Sequence, residues 1–366
     1  MNKTLKVLAA VAAASVLTLT GCGRDEATAP AGDSTGAAGG FAQDSLIGVA
    51  LPQKTSENWV LAENLFKTDL GAAGFKFDVQ FANGGVTEQQ NQISTMVTKG
   101  AKVIVVGAID GAQLGTQVKA AKDAGATVIA YDRLLKNTDA VDAYIAYDNR
   151  QVGRLQGTAL LEGMAKKKSS GPYNVELFAG SPDDANANVF FEGAMEVLQP
   201  KIDDGTLKVA SGQTTFNQVV TQGWKAENAQ KRMDTLLSAN YTKADLDGVL
   251  SPNDTLARAV ITSVKSAGKD IPVVTGQDSE VESVKSIMAG EQYSTINKDT
   301  RALVNATVEA VKALQSGGQI KITDTSQYNN GVKVVPAQLL EPVIVTKETA
   351  AEAYKNDPTL APLTKS

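Results

Sequence analysis

Asp132 and Arg133 close an apolar run, Thr127-Val128-Ile129-Ala130-Tyr131, that has the length and composition of a buried strand. The carboxylate supplies acceptor oxygens and the guanidinium a planar fork of donors. In a parallel α/β sheet, ligands bind just beyond the carboxyl ends of the strands, which is where this pair would stand. The chemistry suits a ligand made of hydroxyls and ether oxygens, that is, a sugar. A surface turn in which the two charges pair with each other, or cap a helix, suits the same two residues.

The pattern recurs along the chain. Asp183-Asp184 with Asn186, Asn253-Asp254, Gln277-Asp278 and Asn297-Lys298 fall at other predicted strand ends. Each has a structural alternative: Asp184 and Asn253 as helix caps, Ser181-Pro182 as a cap followed by proline at the first helical position, Lys298 as a solvated surface lysine. Together these clusters point to one polar cleft. There Asp132, Asp184 and Asp278 would accept from sugar hydroxyls, Arg133 and Lys298 would donate, and Asn186 and Asn253 would do both. Trp59 and Trp224, the only tryptophans, offer flat faces to the C–H side of a pyranose, with core packing as the alternative.

The elements that would position these residues alternate in the α/β manner. Short apolar runs predict strands over 46–51, 75–81, 103–106, 127–131 and 144–146, with helices over 56–70, 86–99 and 110–124 between them. Gly125 is placed to end the third helix, where a positive φ is wanted. The rhythm restarts with a helix over 149–165, then strands over 175–179, 207–211, 248–250, 273–275 and 293–296. Their intervening helices span 187–198, 224–239, 254–267 and 281–289, and a helix over 300–316 ends the regular part. This βα alternation implies parallel sheets with right-handed crossovers. There are too many strands for one compact sheet, so the fold class is α/β with two Rossmann-like lobes and a cleft between them.

Composition narrows the chemistry. The 366 residues suffice for about two domains. The net charge of -5 argues against nucleic acid, which wants a basic face. With no histidine, Ser-His-Asp and Cys-His catalysis and any His-ligated metal are excluded, and a single cysteine excludes an internal disulfide and a Cys-based zinc site. No cofactor is expected. Lys3 and Lys6 precede an apolar stretch that ends Leu19-Thr20-Gly21-Cys22, so 1–21 reads as a secretory leader. The Leu-x-Gly-Cys ending looks like a bacterial lipoprotein box, in which Cys22 is acylated. Residues 22–44, rich in Gly, Ala, Ser and Thr, read as a flexible tether.

Several motifs in one order carry a family resemblance: Ala130-Tyr131-Asp132-Arg133, Gly180-Ser181-Pro182-Asp183-Asp184, Ser251-Pro252-Asn253-Asp254, Gly276-Gln277-Asp278, the run from Ala289 to Ile296, and Asn330-Gly331-Val332-Lys333-Val334-Val335-Pro336. From about Ile47 to Lys347 the chain resembles the periplasmic sugar-binding proteins of ABC transporters, type I fold, in their xylose-binding and multiple-sugar-binding branch. The resemblance implies a two-lobe receptor, expected to be a monomer, that closes on a monosaccharide and hands it to ABC permease subunits; with the lipoprotein box, it is expected to be lipid-anchored outside the cytoplasm. It implies chain crossings near Ala146, Lys298 and Asp324, with an N-terminal lobe of 45–146 plus 299–324 and a C-terminal lobe of 147–298 plus 325–366. Carried over residue by residue, the ligand contacts would be Asn58, Trp59, Asp132, Arg133, Asp184, Asn186, Trp224, Asn253, Asp278 and Lys298. At Asn58 the xylose-binding relatives carry arginine, which leaves the contact at one end of the sugar, and the identity of the sugar, open.

Three other readings compete. A glycosidase would need Asp183 or Asp184 and a second carboxylate at a set separation. A sugar-responsive repressor would need an N-terminal helix-turn-helix where the leader stands. A receptor that signals to a membrane sensor is compatible with transport.

Overall fold

The computed structural model describes residues 39–365; the expected leader, Cys22 and the tether up to residue 38 lie outside the described residues. The first lobe is laid down by β1 (Leu46–Leu51), α1 (Glu57–Ala72), β2 (Lys76–Phe81), α2 (Val86–Thr98), β3 (Val103–Val106), α3 (Gly115–Asp123), β4 (Thr127–Tyr131) and β5 (Ala143–Tyr147). β1, β3 and β4 are apolar almost throughout because the sheet is covered on both faces. Ile47, Val49 and Leu51 pack on one face with Phe66 and Leu70 of α1, whereas Ala50 turns to the other, against Ile93 and Met96 of α2.

The chain then crosses. Asp148 caps α4 (Asn149–Lys167), its side chain accepting from Gln151 N at 3.0 Å. The second lobe continues with β6 (Tyr173–Leu177), α5 (Ala185–Asp203), β7 (Leu207–Val209), α6 (Phe216–Val219), α7 (Ala226–Asn240), β8 (Gly248–Leu250), α8 (Asp254–Ser266), β9 (Val273–Val274), α9 (Val281–Met288) and β10 (Ser294–Asn297). α4 and α5 meet backbone to backbone. A Cβ on Gly153 would lie 2.0 Å from the Phe190 carbonyl oxygen, so only glycine permits the approach.

α10 (Thr300–Gln315) returns to the first lobe, packing Leu303, Val304 and Val308 with the α1 side of the core. β11 (Ala337–Leu340) then joins β5 in parallel, giving a six-stranded sheet in the order β11-β5-β4-β3-β1-β2. The second lobe has the four-stranded sheet β7-β6-β8-β9. β12 (Val343–Thr346) pairs antiparallel with β10, and α11 (Ala350–Ala353) follows. The α/β class with two parallel-sheet lobes is the one expected.

Several expected boundaries shift, each for a local reason. The third crossing is not near Asp324. Ala337 and Asp324 exchange backbone hydrogen bonds of 2.8 and 3.0 Å, and Asn330 Nδ2 donates to the carbonyls of Leu135 and Thr138 at 3.2 and 2.7 Å. These bonds stitch the segment up to Leu340 onto the first lobe, so the chain crosses at residues 341–342. Regular structure therefore continues past residue 316. The folded part begins earlier than residue 45: Phe41 N donates to Gln315 O at 3.2 Å, and its ring stands 6.2 Å from that of Phe75. α3 starts at Gly115 rather than residue 110, because the Asp110 carboxylate accepts from Ala112 N and turns the backbone there. Gly125 ends that helix with φ 81°, as its position suggested.

Candidate functional site

β4 delivers Asp132 and Arg133 on a left-handed bend. Asp132 has φ 59°, a conformation that aspartate tolerates better than most residues. Its N–H donates to Ile145 O at 2.9 Å, and its carbonyl oxygen accepts from Tyr144 Oη at 2.5 Å and from Asn186 Nδ2 at 2.8 Å. Tyr144 belongs to the first lobe and Asn186 to the second, so the bend is held from both sides. The two side chains also adjoin, Tyr144 Oη lying 3.0 Å from Asn186 Oδ1, so its one hydrogen is shared between that oxygen and the Asp132 carbonyl.

The bend sends Arg133 into the interlobe space. Its Nη1 donates to Ala108 O at 3.1 Å, and its guanidinium lies 5.3 Å from the Trp59 ring centre. Nε stands 3.0 Å from Asp184 Oδ2 as an ion pair across the lobes, but it is not aligned for a hydrogen bond. Asp184 is divided between two tasks. Oδ1 caps α5 by accepting from Asn186 N at 2.9 Å, while Oδ2 accepts from Trp224 Nε1 at 3.1 Å and faces Arg133. Burial pushes the Asp184 carboxyl above its ordinary value against the opposing pull of Arg133.

Trp224 owes its place to its neighbours. It has φ 55°, and a Cβ on Gly180 would lie 2.1 Å from its ring, so the indole rests directly on the Gly180 backbone. Both tryptophans belong to hydrophobic cores and also line the interlobe cavity, so the packing and cleft readings hold together.

Lys298 comes from the second crossing. It is buried rather than solvated, with Nζ 3.1 Å from Asp278 Oδ1, 3.8 Å from Asp132 Oδ2 and 5.4 Å from the centre of the Phe190 ring. Burial pulls the Lys298 ammonium down, but the carboxylates of Asp278 and Asp132 more than offset it, so the group stays protonated. Asp278, on a bend of φ 92°, is raised by burial despite Lys298. Asn253 caps α8, its Oδ1 accepting from Leu256 N at 3.0 Å. Asn58 accepts from the Ser56 hydroxyl at the start of α1.

All ten residues carried over from the sequence line one cavity, together with Thr55, Ser56, Phe190 and Gln277. It is narrow, with a volume of about 30 Å³. A larger space of about 370 Å³, also lined by Asn58, Asp278 and Lys298, lies between α1 and α9. The four additional residues carried unequal signals. Phe190 is one helical turn beyond Asn186, and Gln277 precedes Asp278 in a cluster already singled out. Gln277 Oε1 is buried with no hydrogen-bond partner among the described residues. Thr55 and Ser56 sit in a loop with no periodicity to betray them. Asp183 is not among the lining residues, and the described residues contain no group of His, Cys, Asp and Glu placed to hold a metal.

Two α/β lobes, crossed three times by the chain and meeting at a cavity of acceptors, donors and indoles, define a two-lobed solute-binding protein. The periplasmic binding protein domain family matches residues 47–319, and the chain belongs to that family, whose members bind ligands and are not enzymes. It is 50% identical over 313 residues, 84% of this chain and 88% of the relative, to the multiple sugar-binding periplasmic receptor ChvE of Rhizobium radiobacter. It is 35% identical over 317 residues, 86% and 91% of the two chains, to the D-xylose-binding periplasmic protein of Escherichia coli. An ABC transporter solute-binding protein of Clostridium phytofermentans, solved with bound β-D-glucose, superposes with a TM-score of 0.84 at 38% identity, covering 88% of this chain and all of that one.

Proposed function

We propose that this protein binds a neutral monosaccharide between its lobes and delivers it to the membrane subunits of an ABC permease. The sugar is a pyranose such as D-xylose, D-glucose or D-galactose. The observation that carries this reading is the convergence of Asp132 and Arg133 from one lobe, Asp184, Asn253 and Asp278 from the other, and Lys298 from a crossing, on a cavity flanked by two indoles. Acceptors and fork-shaped donors match hydroxyls, and indole faces match the apolar side of a sugar ring. The relatives, a multiple-sugar receptor, a D-xylose-binding protein and a solute-binding protein with bound glucose, agree with it. The lobes we propose are 41–147 plus 300–340, and 149–297 plus 343–365. A monomer outside the cytoplasm, held at the membrane by acylated Cys22, completes the reading and accords with Leu19-Thr20-Gly21-Cys22.

The lobes part to admit a sugar and close around it. A ligand that binds only the folded protein raises its stability by about 2.7 kcal/mol at a hundredfold excess over Kd. A thermal-shift screen of neutral monosaccharides should therefore show a rise in melting temperature with at least one pentose or hexose. No rise with any of them would refute the proposal.

A further inference from the structure

Glu57 and Glu280 stand on opposite lobes and line the larger space between α1 and α9, not the narrow cavity. Glu57 is the first residue of α1, and Glu280 immediately precedes α9. The first N–H groups of a helix have no acceptor within it and need one from elsewhere. Neither helix supplies its own: Ser56 and Glu280, in the two cap positions, make no side-chain cap bond. The opposite lobe does. Glu57 Oε2 accepts from Val281 N at 2.8 Å, and in return Glu57 N donates to Glu280 Oε1 over a longer 3.4 Å. Glu280 is a fixed part of its lobe, paired with Arg258 at 2.7 Å and accepting from Thr255 Oγ1 at 2.9 Å on each oxygen. Glu57 is exposed.

We infer that Glu57 and Glu280 form a latch in which each lobe caps a helix of the other, and that this latch sets the affinity for every ligand without touching any. The inference rests on the sugar-binding reading of the cleft. A contact made only when the lobes are together shifts the open–closed balance by its own differential energy. When the closed form is a small fraction of the sugar-free protein, apparent affinity scales with that fraction. The scaling factor is the same for every sugar, whereas a side chain that meets the ligand discriminates among sugars.

Calorimetric titration of the wild type, Glu57→Ala and Glu57→Gln with D-glucose and D-xylose tests this. Glu57→Ala should weaken both sugars by one common factor of about three- to tenfold, the range expected for losing a helix cap. Glu57→Gln keeps an acceptor oxygen and should lose less. Glu57 is exposed, so the sugar-free variants should melt with the wild type. Unchanged affinity for both sugars would overturn the latch, as would a loss confined to one sugar, which would place Glu57 in the ligand's contact shell. The wild type judges the sugar reading separately: if it binds neither sugar, that reading fails and the latch with it.

Discussion

At Asp132 a non-glycine residue holds a left-handed backbone, φ 59°, and its carbonyl takes donors from Tyr144 and Asn186. Such strain, about 1 kcal/mol, persists where surroundings over-determine it, and Trp224 and Asp278 share the condition at the same cavity. The bend is what lets Arg133 reach Ala108 O, Asp184 and the face of Trp59 at once. Arg133→Ala would leave the buried Asp184 without its cation and remove a donor fork from the sugar. Affinity should fall at least tenfold, about 1.4 kcal/mol. Arg133→Lys should not restore it, because a point charge cannot serve three partners in a fixed geometry. Calorimetric titration decides, and wild-type affinity in Arg133→Ala would remove this strand end from the site. Asp132-Arg133 is legible in sequence because two charges abruptly end an apolar run. Glu57 is not, because its role depends on an N–H more than two hundred residues away across the cleft.

Among the elements, caps and cleft residues turn out to be the same residues. Asp184 and Asn253 each give one side-chain oxygen to the start of a helix and also line the cavity. The helix therefore fixes the side chain that the ligand meets. Asn253→Ala should lower the melting temperature, with the loss of about 1 kcal/mol usual for an N-cap, and weaken sugar binding as well. Asn253→Ser keeps a cap oxygen but no amide, so it should regain stability and not affinity. Thermal melts and titrations on both variants separate the roles; parallel recovery of both quantities would contradict the division. The sequence read most strands and helices correctly where apolar periodicity ran for several residues, as in β1, β4 and α8. It failed where tertiary contacts replaced periodicity. β11 is short and mostly half-buried, and its place beside β5 is held by the Asp324 bonds and by Asn330, which reaches Thr138 far back in the chain. α5 runs on through Pro200 to Asp203, past the residue at which a sequence rule ends a helix.

For the molecule as a whole, the cleft is spanned by charge. Arg133 meets Asp184 and Lys298 meets Asp132 across it, so a sugar entering meets paired charges rather than an apolar void. Such pairs gain little over their desolvation. The proposed anchor depends on a single residue. Cys22 is the chain's only thiol, so Cys22→Ser should move the protein from the membrane to the soluble fraction while its affinity for sugar stays the same. Cell fractionation with an activity-blind immunoblot measures the first, titration the second. A variant that remains with the membrane would rule out acylation as the tether.

Both indoles of the chain border a single cavity, Trp224 bonded to Asp184 and Trp59 beneath a guanidinium, and no third tryptophan dilutes them. Intrinsic fluorescence is thus an unlabelled optical gauge of occupancy. Excitation selective for tryptophan reports on the cleft alone, and the emission of each single-tryptophan variant reads the cleft from its own lobe. A stopped-flow trace from either would give loading and unloading rates in real time.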